Sequence, residues 1–385
     1  MDLSLFFDPL DGQLQEIISS QEGLGRSFYC YDHQVPDLEG IHLAIVGLVE
    51  VRGTSTQSSG VAEAADNIRK QLYLLQRGAA TYKIADLGNL RNGPTLEDTL
   101  HRIREVASYL MSRNILPIFI GSSHDMTLGQ FGGYEPQEEP VNLLVLDAFF
   151  DVENDSASDR THLRSLVAGE NRKPFQITHF AHQTYLMAEE ALGFMSSLHF
   201  EAIRLGAIKE NLKDMEPLIR DADLVSFDLS CLNQQFAPGA IGVKPFGLTG
   251  EESCQLCWYA GLNNKLTSIG FYGLDSDLDD DRSTTAFVTA TMIWYFIEGY
   301  YHRVGDLDFQ SDNFLVYEVS MSGEPTSIRF YKSKRSEKWW MEVPLNNTNS
   351  VFLQNKMVPC NYADYESALE GEVPSRWLAA FTHLN

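Results

Sequence analysis

The chain has 385 residues, 44% of them hydrophobic, enough for one large buried core or two smaller ones. A formal net charge of -24 argues against nucleic-acid binding, which needs a basic footprint, and no apolar run approaches the ~20 residues of a membrane span. Five cysteines are few for this length, and the start Met1-Asp2-Leu3-Ser4 lacks the positive region of a secretory signal, so a cytoplasmic protein is expected.

In chain order, residues 1–40 contain one short helical stretch, Leu14 to Ser20, and read as an N-terminal arm. Strand-like runs follow at His42–Val46, Lys83–Ala85, Ile115–Ile118, Leu143–Val145, Gln176–Thr178, Ala202–Arg204, Leu224–Ser226 and Thr267–Ile269. Helical patterns separate most of them: Ala62 to Leu75, Leu96 to Ser112, Tyr185 to Ser197, Glu251 to Gly261 and Thr284 to Glu298. About eight strands alternating with helices predict an α/β fold: a three-layer α/β/α arrangement around an eight-stranded, mostly parallel sheet. No G-x-G-x-x-G or P-loop follows a strand, so nucleotide binding lacks its phosphate cradle.

The alternation ends near residue 305. Phe314–Val319 and Ser327–Tyr331 flank Ser322-Gly323-Glu324-Pro325, a hairpin signature. The expected division is therefore an arm (1–40), an α/β domain (41–304) and a β-containing C-terminal extension packed on it (305–385). The basic run Lys332 to Lys338 beside Trp339-Trp340 is expected to clamp the extension onto the acidic core, with a subunit contact as the alternative.

Three strands end in chemistry. Pro117-Ile118-Phe119-Ile120 runs into Gly121-Ser122-Ser123-His124-Asp125, Leu143 to Leu146 into Asp147-Ala148-Phe149-Phe150-Asp151, and Leu224 to Phe227 into Asp228-Leu229-Ser230. Sites of α/β folds form at the carboxyl ends of strands, so His124, Asp147, Asp151 and Asp228 are expected on one rim. One imidazole with three hard oxygens suits a divalent ion such as Mn, Fe or Zn.

These stretches resemble the motifs of the ureohydrolase family (arginase, agmatinase, formimidoylglutamase): G-G-[DG]-H, D-A-H-x-D and S-x-D-x-D-x-x-D-P, then A-P-G. Here they read GSSHD, DAFFD and SFDLSCLNQ, then Ala237-Pro238-Gly239 and Gly247-Leu248-Thr249, over roughly residues 40 to 300. The resemblance implies an arginase-like fold and hydrolysis of amidino or formimino groups at a binuclear manganese centre. It also implies an oligomer, a trimer or hexamer. The C-terminal tail is familiar from formimidoylglutamase-like sequences.

The resemblance assigns one ion to His124, Asp147, Asp151 and Asp228. The second shares Asp147 and Asp228 and needs two further ligands, whose positions hold Phe149 and Ser230. Phenylalanine cannot ligate, and a neutral hydroxyl is a poor stand-in for a carboxylate. The third acid of the last motif is Asn233, and no acid stands near Phe271-Tyr272, where the family has a late glutamate. One manganese site is thus expected, with zinc or iron(II) as alternatives.

Two functions follow. One is a pseudoenzyme that binds a small-molecule ligand or a partner after losing amidinohydrolase chemistry. The other is an active metal-dependent C–N hydrolase of formimidoylglutamate or a related guanidino compound, for which His162 is the one evident general acid or base. A surface histidine in a polar loop is the plainer reading of His162. Three acids without a cation repel each other, so at least one bound cation or a compensating Lys or Arg is expected, with Lys244 the candidate for the latter.

Two apparent motifs carry little. Cys254-x-x-Cys257 reads as two small packed residues on a helix. Asp275 to Asp281 starts like a calcium loop but has Asp280 and Ala286 where glycine and glutamate are required. It reads as a solvated turn, with Thr284 or Thr285 capping the next helix.

Overall fold

Strands buried on both faces must be covered on both faces, and this requirement shapes the protein. In a computed structural model, which describes residues 1–56, 58–154, 157–168, 172–198, 200–323, 325–344 and 356–384, the central sheet has ten strands. They are β1 (Phe7–Asp8), β2 (Phe28–Cys30), β3 (Leu43–Leu48), β4 (Ile84–Leu90), β5 (Leu116–Ile120), β6 (Asn142–Leu146), β7 (Gln176–His182), β8 (Glu201–Arg204), β9 (Leu224–Asp228) and β10 (Ser268–Tyr272). The order is β1-β4-β3-β5-β10-β9-β6-β7-β8, with β2 also on β4.

The eight strands from β3 to β10 are parallel, as expected from the alternation. The other two come from the N-terminal arm: β1 pairs antiparallel and β2 parallel with β4. The arm therefore extends the sheet edge, which its short, weakly apolar strands gave no reason to expect.

Side-chain alternation divides the core. Leu43 and Ile45 of β3 enter one apolar cluster, while Ala44 and Val46 enter another. Likewise Leu144 and Leu146 of β6 join the first cluster, and Leu143 and Val145 a third. Helices Ser59–Leu74, Gly250–Leu262 and Thr284–Tyr301 pack together on one face, and Leu96–Met111, Thr127–Gly132 and Ser158–Ala168 on the other.

Local signals place most helix ends. Thr95 and Thr249 each form a capping box, with Asp98 and Glu252. The helix expected from Tyr185 begins later, at Glu189, because Thr184–Leu186 winds as a tighter turn. The acidic loop reverses the expected capping. Asp280 and Asp279 accept the backbone N–H groups of Thr284 and Thr285, and Asp277 accepts that of Gly60, so carboxylates cap two helices. Cys254 and Cys257 are buried free thiols, and burial pushes the Cys254 thiol up to about 12.

The C-terminal part forms an antiparallel sheet of β11 (Phe314–Ser320), β12 (Ser327–Ser333), β13 (Trp339–Val343) and β14 (Lys356–Cys360). β11 and β12 pair in register, and Glu324 in the expected turn lies outside the described residues. Arg220 holds this sheet to the α/β part. Its guanidinium lies 4.2 Å from the Trp340 ring and donates to the carbonyls of Trp339 and Cys360, each at 3.0 Å. Lys338 pairs with Glu216 at 2.9 Å. The basic run thus makes contacts within the chain.

No described helix is long and apolar enough to cross a membrane.

Candidate metal centre

β5, β10, β9 and β6 are neighbours in the middle of the sheet, so their carboxyl ends open onto one rim. The chain leaves β5 through Gly121 (φ +91°) and Ser122 (φ +63°), and His124 starts a tight turn. A left-handed serine costs energy, and Ser122 is held by its hydroxyl donating to the Glu50 carbonyl at 2.6 Å. Asp151 is also left-handed (φ +50°). Backbone strain at two positions of one rim marks it as a place where geometry is imposed.

The four sequence-predicted ligands converge. His124 Nδ1 lies 2.9 Å from Asp147 Oδ2, 3.2 Å from Asp151 Oδ2 and 3.8 Å from Asp228 Oδ2. His124 Nε2 meets the Ser226 hydroxyl at 2.9 Å, which orients the ring. All four residues are buried. Ligand atoms of His124, Asp147 and Asp228 lie within 4.8 Å of one another, as do those of His124, Asp151 and His162. This donor set fits one divalent ion.

The electrostatics fit too. Burial opposes charge on His124, yet its bonds to Asp147 and Asp151 and the nearby Asp228 raise its pKa well above the ordinary value. Burial works against Asp147, but His124 holds its carboxyl below the usual range. Asp151 is raised by burial and by Asp147, and Asp228 is pushed up to about 7 by the same two causes. Such opposed shifts are what crowded, desolvated acids produce when cations are short.

The two departures are built into the site. Ser230 donates its hydroxyl to Asp147 Oδ1 at 2.7 Å, and its N–H to Asp228 Oδ1 at 2.7 Å. Phe149 is fixed at both ends of its backbone: its N–H donates to Asp147 Oδ1 at 2.9 Å, and its carbonyl accepts from His179 Nε2 at 2.8 Å. Late in the sheet, Tyr272 stands in β10 and bonds Gln130 at 2.7 Å, away from any acid role. Gly273 follows with φ +88°, and a Cβ there would lie 2.7 Å from Asp228 Oδ2.

His162 is not a surface residue in a loop. It is fully buried on the helix Ser158–Ala168, its ring edge-on to His124 at 4.4 Å, with Nδ1 3.7 Å from Asp151. Burial and the charge of His124 hold its pKa well below the ordinary value. The polar sequence around it hid the helix, whose buried face is only Asp159, His162, Leu163, Leu166 and Val167.

The compensating cation is Arg160, not Lys244. Arg160 Nη1 lies 3.6 Å from Asp151 Oδ1 and its guanidinium stacks 4.1 Å from the Phe149 ring. Lys244 lies 5.9 Å from the centroid of that ring and makes no ion pair with these acids among the described residues. Nothing in the spacing of Arg160 revealed this, because it depends on how one helix packs over the rim. Sequence reasoning also missed Asp125 and Asp159. Each leaves one buried carboxylate oxygen without a partner among the described residues, as does His162 Nε2. The space lined by His124, Asp147, Phe149, Asp151, Arg160 and Asp228 is about 20 Å³, room for roughly one water or ion.

Comparison with known proteins agrees with this architecture. The model of the arginase family matches residues 42–298. A formimidoylglutamase from Streptococcus gordonii is 21% identical over 298 residues, 69% of this chain and 87% of that protein. The fold is similar to that of Bacillus subtilis formimidoylglutamase, with a TM-score of 0.66 at 17% identity, covering 74% of this chain and 93% of that one. Trypanosoma cruzi formiminoglutamase with Mn2+ superposes with a TM-score of 0.64 at 17% identity, covering 77% of this chain and all of that one.

Proposed function

From the premise that the chain belongs to the arginase family, we propose that it keeps one half of the family's metal centre and has lost ordinary amidinohydrolase activity, acting instead by binding a ligand or partner. The observation that carries this reading is the pair Phe149 and Ser230. One position offers no donor atom, and the other spends its hydroxyl on Asp147 Oδ1, the acid both ions would share.

His124, Asp147, Asp151 and Asp228 would hold the single ion. Manganese is the first choice, given a structural neighbour that carries it, with zinc or iron(II) as alternatives. A bound ion supplies Lewis acidity, but a two-metal hydrolase positions its nucleophile between ions ~3.5–4 Å apart, and that geometry needs the second ion. Space argues the same way: ligand pockets run to ~300 Å³ and more, against about 20 Å³ here. The same reading expects a small-molecule ligand bound elsewhere than in this small cleft, and a homo-oligomer.

The test is metal counting with assay. Purified protein loaded with Mn(II) should hold one tightly bound ion per chain and should not hydrolyse formimidoylglutamate, agmatine or arginine. Two ions per chain would sink the reading.

One observation favours an alternative, a single-metal hydrolase of formimidoylglutamate or a related guanidino compound. His162 lies beside the centre, with Nδ1 3.3 Å from the Asp159 carbonyl and Nε2 without a partner among the described residues, where a proton could be accepted. Turnover of formimidoylglutamate by the one-ion protein, abolished by His162→Gln with the ion retained, would establish it.

A further inference from the structure

The single-ion reading leaves a question of charge. Asp147, Asp151 and Asp228 carry three negative charges when ionised, a divalent ion supplies two positive ones, and His124 as a ligand is neutral. One further positive charge is needed. Arg160 is the cation that the fold places at the mouth of this cavity, facing Asp151.

We propose that Phe149 and Asp151 form a guanidinium-binding site, and that the chain fills it with its own Arg160. The inference rests on the single-ion reading and extends it. A planar, weakly hydrated guanidinium suits an aromatic face on one side and a carboxylate on the other better than a strongly hydrated ammonium or metal ion does. Here the guanidinium lies 4.1 Å from the Phe149 ring with Nη1 3.6 Å from Asp151 Oδ1.

The surroundings are shaped for it. Phe149 is clamped through its N–H and its carbonyl, so the ring is a fixed platform. Gly242 (φ +74°) closes over the pair, and a Cβ there would lie 3.3 Å from Arg160 Nη2 and 3.5 Å from the Phe149 ring. The Arg160 backbone is anchored as well, its carbonyl accepting from Glu153 N–H at 3.1 Å. The replacement of a ligating side chain by Phe149 therefore gives the site a preference for a different cation.

The experiment removes the tethered occupant and offers a free one. In Arg160→Ala, methylguanidinium titrated into the Mn(II)-loaded protein should bind at one equivalent, at least about tenfold tighter than to the unaltered protein, the scale of one desolvated cation–aromatic contact. Phe149→Leu in the Arg160→Ala background should remove the gain, and methylammonium should show none. A folded Arg160→Ala protein that keeps one ion but binds methylguanidinium no better than the unaltered chain overturns the inference, and so does an equal gain for methylammonium.

If Arg160→Ala does not fold, NMR on the unaltered protein decides. The Arg160 guanidinium protons should be shifted upfield by the Phe149 ring and lose that shift in Phe149→Leu; unshifted protons overturn the inference. Counting two ions in the unaltered chain would instead defeat the single-ion reading beneath it.

Discussion

Two buried charge clusters in this protein are opposites. Arg69, fully buried on the helix Ser59–Leu74, makes a bidentate pair with Asp86 of β4, both bonds at 2.9 Å. Its remaining N–H groups reach Asp66, Asn89 and the Gly88 carbonyl, and Tyr73 donates to the same aspartate at 2.7 Å. Every group there has a partner. At the rim, three acids share His124 and Arg160, and Asp125, Asp159 and His162 leave buried atoms bare. A satisfied cluster is a structural device, since it needs nothing from outside. An unsatisfied one is costly unless something completes it, which is why the second cluster, and not the first, points to a bound ion.

The largest expected effect breaks the satisfied cluster. Arg69→Met strands Asp86 and Tyr73 without their cation, and urea unfolding should show a loss of about 3–5 kcal/mol, the same with or without Mn(II). A loss under about 1 kcal/mol would remove the contrast.

At the rim the pattern should invert. Asp151→Asn should weaken Mn(II) by at least about 100-fold by calorimetry, because removing even an outer partner of a ligand costs ~10–100-fold. Metal-free stability should change by less than about 1 kcal/mol, since relief of like-charge repulsion offsets the lost contacts. The unaltered protein should gain about 2.7 kcal/mol at a Mn(II) concentration of ~100 times its dissociation constant. Asp151→Asn should gain nothing at that concentration.

Acidity sharpens the comparison further. The raised pKa values of His124 and Asp228, the latter about 7, mean that both hold protons near neutrality in the metal-free fold. Ligands must shed those protons when an ion binds, so affinity should rise with pH, by up to about tenfold per unit per proton released, from about pH 6 to about pH 8. The sign is fixed: acid competes with the metal, and base favours it. A flat calorimetric profile across that window would place the ion elsewhere. The smallest effect belongs to Lys244→Ala, which should alter stability by less than about 0.5 kcal/mol and leave Mn(II) affinity unchanged, because among the described residues Lys244 makes no ion pair with the rim acids.

By itself, the sequence determined the parallel eight-stranded core and the residues at its strand ends. Both follow from local rules: apolar runs with alternating helices demand a doubly covered sheet, and such a sheet presents the residues after its strands at one rim. Hence His124, Asp147, Asp151 and Asp228 were legible without coordinates, while the meaning of Phe149 and Ser230 came only from the resemblance to the ureohydrolase motifs. What only the tertiary structure decided depends on contacts between distant segments. The arm joins the sheet through backbone pairing that leaves no side-chain pattern. His162 is buried because the helix Ser158–Ala168 packs against the turn His124–Met126 and the helix Thr127–Gly132, although its own sequence is polar. Arg160 stands over Phe149 for the same reason: an arginine's nearest acid is set by packing, which composition and spacing do not encode.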